Sequence, residues 1–95
     1  MTKLKSQFIN QAGQPLTGEV TIELDRAVID ATTGQKVIPF PQAVALDPEG
    51  AFETDLWPNA RGEEASHYTL TVARINLQFS LPDEPDVELA DVAEL

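Results

Sequence analysis

Residues 47–59 read Asp47-Pro48-Glu49-Gly50-Ala51-Phe52-Glu53-Thr54-Asp55-Leu56-Trp57-Pro58-Asn59. Proline at the second position and glycine at the fourth of Asp47–Gly50 predict a type I turn. Phe52, Thr54 and Leu56 then fall on one face of an extended chain, with Glu53 and Asp55 on the other. Proline cannot donate to a ladder, so the strand stops at Trp57-Pro58-Asn59. The stretch holds the chain's only tryptophan. A tight turn, a short alternating strand and a polar stop are the units from which an all-β domain is built.

The same grammar extends outward. Leu4, Ser6 and Phe8 share one face of a first strand, opposite Lys3, Lys5 and Gln7. A turn over Gln11–Pro15 follows. Val20, Ile22 and Leu24 alternate with Glu19, Thr21, Glu23 and Asp25, the period of a half-buried strand. Residues 26–42 carry Pro39 and Pro41 around Phe40, which predicts an edge or a loop. Residues 43–47 predict a short strand. After a polar loop over Asn59–Ser66, Tyr68, Leu70 and Val72 alternate with Thr69 and Thr71. The apolar parity then shifts to Ile75, Leu77, Phe79 and Leu81, so a tight turn or a β-bulge lies near Arg74. Pro82 ends the run. About seven strands with turns at regular spacing predict a single antiparallel β-sandwich over residues 1–82.

Residues 83–95 differ in composition. Asp83, Glu84, Asp86, Glu88, Asp91 and Glu94 are interspersed with Val87, Leu89, Val92 and Leu95, and no basic residue follows Arg74. One reading is a solvated acidic tail. The other is a segment that orders on a partner, as a short helix or an added strand. On either reading, deleting residues 83–95 is expected to leave the fold intact.

Composition narrows the function. Ninety-five residues make one domain with a modest core. Cysteine is absent, which excludes disulfides and thiolate metal sites. Sixteen acidic and six basic side chains give a net charge of −10. Such a surface repels nucleic-acid phosphates and anionic membranes. No apolar run reaches the length of a membrane span, and Met1–Gln7 is not read as a signal peptide.

Catalytic constellations are thin. His67 is the only histidine. It adjoins Ser66, but neighbours on a strand point to opposite faces, so the two do not form a nucleophile–base pair. Asp47, Glu49 and Asp55 lack the spacing of a calcium loop and read as solvated turn acids. No cofactor and no enzymatic activity are expected. Trp57 has two readings: a cap over the open end of the core, which is preferred, or an aromatic anchor for a partner or a sugar ring. The candidate partner-binding residues are Trp57, Asn59 and Arg61 in the polar loop, with Val87, Leu89 and Val92 in the acidic segment.

Gly13-Gln14-Pro15-Leu16-Thr17-Gly18 followed by Val20–Leu24 resembles the start of prealbumin-like, carboxypeptidase-regulatory-type β-sandwich modules. Asp47-Pro48-Glu49-Gly50-Ala51-Phe52 looks like their mid-domain turn. Leu56-Trp57-Pro58-Asn59, the later Ser66–Val72 strand and Leu81-Pro82-Asp83 are similar to a narrower group found in tail-fibre and related virion proteins of tailed bacteriophages. One departure is local: Ala73-Arg74-Ile75 offers no glycine turn. The resemblance implies a prealbumin-like sandwich and a structural subunit of a phage virion, assembled in the host cytoplasm. It implies attachment to other virion proteins in symmetric rings or trimers, at a fibre or baseplate joint. A capsid decoration protein and a carbohydrate-binding module using Trp57 and Tyr68 are the alternatives. A chain consisting of the module alone is expected to act as an adaptor.

Overall fold

The computed structural model describes residues 1–94. The strands are β1 (Thr2–Gln7), β2 (Glu19–Leu24), β3 (Val28–Ile29), β4 (Lys36–Val37), β5 (Gln42–Ala45), β6 (Ala51–Leu56), β7 (Tyr68–Val72), β8 (Ile75–Phe79), β9 (Asp86–Glu88) and β10 (Ala93–Glu94). A 3₁₀ turn covers Asn59–Arg61, and a one-turn helix, α1, covers Leu89–Val92. A three-stranded sheet in the order β6-β1-β9 packs on a five-stranded sheet in the order β10-β8-β7-β2-β5. The β3–β4 hairpin stands apart as a two-stranded sheet. The all-β sandwich is therefore present, with ten strands among the described residues rather than about seven.

Alternation places the core residues of β1, β2, β6 and β7 as the sequence predicts. Leu4, Phe52 and Leu56 come from the smaller sheet, joined there by Val87 of the acidic segment. Val20, Ile22, Leu24, Leu70, Val72 and Phe79 come from the larger one, and all are buried. Phe8 stacks on Phe52 with ring centroids 6.0 Å apart, and Tyr68 on Phe79 at 5.5 Å. Fully burying an aliphatic side chain contributes roughly 1.5–3 kcal/mol, so a core of this size suffices without disulfides.

Two turns decide the register. Gly50 N–H donates to the Asp47 carbonyl (2.9 Å), and Asp47 Oδ1 accepts from the N–H groups of Glu49 and Ala51. The result is a type I turn closed by a left-handed residue, Gly50, at φ 79°. Gly50 has a second constraint: a Cβ there would collide with the Phe8 carbonyl oxygen. This turn carries the chain from the β5 edge of one sheet to the β6 edge of the other. The parity shift near Arg74 is resolved as a two-residue turn, not a bulge. Ala73 (φ 48°) and Arg74 (φ 67°) are both left-handed, and Val72 pairs with Ile75. Directly paired residues share a face, so Tyr68–Phe79 and Leu70–Leu77 both serve the core side despite the change of parity. Neither residue is glycine, and the left-handed region costs about 1–2 kcal/mol for each.

The boundary expected at residue 82 is corrected. Lys3 N–H donates to the Pro85 carbonyl (3.0 Å), and β9 then pairs with β1 through Lys3–Asp86, Leu4–Val87 and Lys5–Glu88. This pairing is parallel; the others are antiparallel. Helix α1 crosses the side of the sandwich, and β10 pairs with β8 in the opposite sheet. The segment is a strap that adds a strand to each sheet. The physical reason lies in Val87 and Leu89: Val87 is the central residue of β9, Leu89 opens α1 directly after it, and both apolar side chains are buried in the core. Asp83, Glu84, Asp86 and Asp91 are exposed. Leu95 lies outside the described residues.

Candidate functional site

The loop after β6 is built around two buried polar side chains. Asp30, at the end of β3, is buried. Its Oδ2 accepts from the Trp57 indole N–H at 2.8 Å. Its Oδ1 accepts from the N–H groups of Thr32 (2.8 Å) and Thr33 (3.1 Å). Arg61 Nη2 lies 3.2 Å from Oδ2. The Trp57 hydrogen bond, above all, holds the Asp30 carboxyl below its ordinary value; the two backbone donors and Arg61 add to this and outweigh the opposing effect of desolvation. Backbone bonds reinforce the link, with Ala31 N–H donating to the Arg61 carbonyl and Glu63 N–H to the Ile29 carbonyl.

Asn59 ties the same loop to the larger sheet. Its Nδ2 donates to Ser66 Oγ (2.9 Å), and its Oδ1 accepts from Leu81 N–H (2.7 Å). Ser80 Oγ donates to the Ser66 carbonyl (2.8 Å). The Tyr68 hydroxyl donates to the Trp57 carbonyl (2.7 Å), and burial pushes the Tyr68 phenol up to about 12. Gly62 leaves room for the indole: a Cβ there would stand 3.1 Å from Trp57 Cη2. Trp57, half-buried, packs against the core.

These contacts engage most of the candidate contact residues within the fold. Asn59 is buried and both ends of its amide are engaged within the fold. Arg61 is held on Asp30. Val87 and Leu89 are buried in the core. Val92 is half-buried beside Asn59, Leu81 and Pro82. The polar atoms of half-buried Trp57 and buried Tyr68 are both engaged within the fold. Ser66 and His67 point to separate partners. Ser66 joins the Asn59 network, while His67 Nδ1 lies 3.4 Å from Asp25 Oδ2. Burial opposes the charge on Asp25, but the His67 backbone N–H and the neighbouring Arg26 and His67 side chains outweigh it and hold its carboxyl low. Asp47 caps its own turn. Among the described residues, no three His, Cys, Asp or Glu side chains converge as a metal site.

The surface that remains available lies next to the Trp57 loop. Ile38-Pro39-Phe40-Pro41 runs without regular structure between β4 and β5. Phe40 is 74% exposed, Ile38 64% and Met1 73%. The three rim a cleft of about 220 Å³ whose inner wall includes Leu56, Trp57 and Tyr68. Prolines on both sides of Phe40 keep the segment out of the ladder, so its apolar side chains have no alternating face to turn inward. Single exposed apolar residues are ordinary, but these three gather around one cleft and form a local apolar patch. The sequence carried this signal in the Ile-Pro-Phe-Pro pattern, which assigns two large apolar residues to a segment that cannot be a core strand.

Comparison with protein-family models matches none of them, and a search of curated proteins likewise returns no match.

Proposed function

We propose that this chain is a structural adaptor that acts by stoichiometric binding to a partner protein. In the fuller reading it is a prealbumin-like module of a tailed-bacteriophage virion, seated at a fibre or baseplate joint in a symmetric array. The observation that carries the binding role is the exposed apolar rim of Met1, Ile38 and Phe40 around the Trp57 cleft. The virion assignment is supported by the motif resemblance of Gly13–Gly18, Leu56–Asn59 and Leu81–Asp83. A rigid sandwich with a satisfied polar loop beneath an exposed aromatic suits attachment, because little ordering entropy remains to oppose docking.

Quantitative mass spectrometry of purified particles tests the assignment. The adaptor reading expects on the order of tens of copies per particle, as a tail ring or set of fibres requires. Hundreds of copies would instead indicate capsid decoration. Absence from washed particles would contradict the virion assignment.

A further inference from the structure

The two large sheets have four outer strands, and three of them carry acids. These are Glu53 and Asp55 on β6, Asp86 and Glu88 on β9, and Glu94 on β10. The fourth, β5, reads Gln42-Ala43-Val44-Ala45 and has no charged side chain. Charged residues on an edge normally discourage pairing with another chain. The register of β5 on β2 pairs Val44 with Val20, and Leu46 N–H donates to the Gly18 carbonyl. Backbone groups alternate in direction along an antiparallel strand. Gln42, Val44 and Leu46 therefore face β2, and the N–H and C=O groups of Ala43 and Ala45 face away from the sheet. Both alanines are exposed.

The two ends of this edge differ chemically. Gln42, its first residue, lines the apolar cleft with Ile38 and Phe40. Ala45, its last, lines a groove of about 530 Å³ with Asp47, Glu53 and Glu88, where Lys5 is the one basic residue among those described. We propose that β5 receives an added strand from the partner protein. The occupant is an extended segment with a large apolar residue at the Gln42 end and Lys or Arg at the Ala45 end. Charge complementarity selects this over a second copy of the chain, which would bring another net charge of −10 to the same edge. Main-chain hydrogen bonds from Ala43 and Ala45 supply the pairing, and the two ends fix its direction. The inference rests on the partner-docking reading and specifies its geometry.

The test is an NMR titration of the full chain with two eight-residue peptides of alternating Val and Thr. Each peptide has Lys-Arg at one end and Leu-Phe at the other, and the two run in opposite directions. One of them is expected to slow exchange of the Ala43 and Ala45 amides, and replacing its Lys-Arg with Glu-Glu to abolish the effect. Ala43→Pro removes an outward N–H without removing a ladder bond and is expected to weaken binding about tenfold, the equivalent of one lost hydrogen bond. Ala45→Lys, a surface change that repels the basic end, is expected to weaken it in a chain whose fold is unaltered. Absence of amide protection with both peptides overturns the inference. A Trp57 fluorescence response without that protection also overturns it, while leaving docking at the cleft in place. Equal binding of the Glu-Glu peptide overturns the charge assignment.

Discussion

The Trp57–Gly62 loop and the Ile38–Pro41 segment lie side by side, and each carries an aromatic residue next to a proline. They differ in where their groups point. In the first, the indole N–H, the Asn59 amide and the Arg61 guanidinium all find partners within the fold. In the second, Phe40 and Ile38 face outward. The difference shows that an aromatic beside a proline marks a strand end but does not say which way the side chain turns. A buried acceptor decides that: Asp30 draws Trp57 in, whereas nothing comparable holds Phe40. The C-terminal strap belongs with the inward group, since its apolar residues complete the core.

Perturbing the inward group is expected to cost stability. Deleting residues 86–94 should have the largest effect, because Val87 and Leu89 leave the core and both sheets lose an outer strand. The loss is about 5 kcal/mol from side-chain burial alone, enough to unfold a marginally stable domain of this size. Circular dichroism of the truncated chain checks this; a normal melt would return the strap to the status of a tail. Trp57→Ala is expected to cost about 3 kcal/mol, the low end for a buried aromatic because the ring is only half-buried. Chemical denaturation reads the change. Asn59→Ala leaves the Leu81 N–H and the Ser66 hydroxyl short of partners in a buried setting and should cost about 2 kcal/mol. An unchanged midpoint would mean that water replaces the amide there.

The acid response tests the same loop. Asp30 and Asp25 have folded-state pKa values below the ordinary 3.8. The stability they contribute is therefore fully present above that value and is lost as pH falls through their lower folded values. Denaturation midpoints at pH 7 and pH 3 should show the loss, and Asp30→Asn should flatten part of the dependence. If Asp30→Asn leaves the acid response unaltered, the Trp57–Asp30 link does not couple to folding. The smallest stability effect belongs to the outward segment. Phe40→Ser should stay within about 0.5 kcal/mol of the parent chain, as exposed positions do. A larger drop in the melting curve would place Phe40 in the core instead.

Much of the fold was legible in the sequence because period-two alternation is a local signal. The faces of Leu4–Phe8, Val20–Leu24 and Phe52–Leu56 follow directly from it, as does the Asp47–Gly50 turn. The strap was not legible, since acids at 83, 84, 86 and 88 outweigh Val87 and Leu89 in any compositional reading. Its burial depends on an open edge of β1 more than eighty residues away. The turn at Ala73-Arg74 was ambiguous for a similar reason: two non-glycine residues adopt left-handed angles because the paired strands require it. At the candidate site, Trp57 and Asn59 were visible as special but not as inward-facing, because their partners Asp30, Ser66 and Leu81 are brought close only by the fold. The Ile38–Pro41 shelf was visible as an edge or loop, and its meaning follows from the apolar cleft beside it.

Native-state hydrogen exchange tests the central contrast most directly, because one experiment reads both regions. The Trp57 indole N–H, bonded to the buried Asp30, should exchange slowly together with the Leu81 amide, near the rate set by global unfolding. The Phe40 amide should exchange at close to the rate of an unstructured chain. A freely exchanging indole beside a protected Phe40 amide would contradict the account, because it would make the Trp57 loop the open surface and the Ile38–Pro41 segment the anchored one.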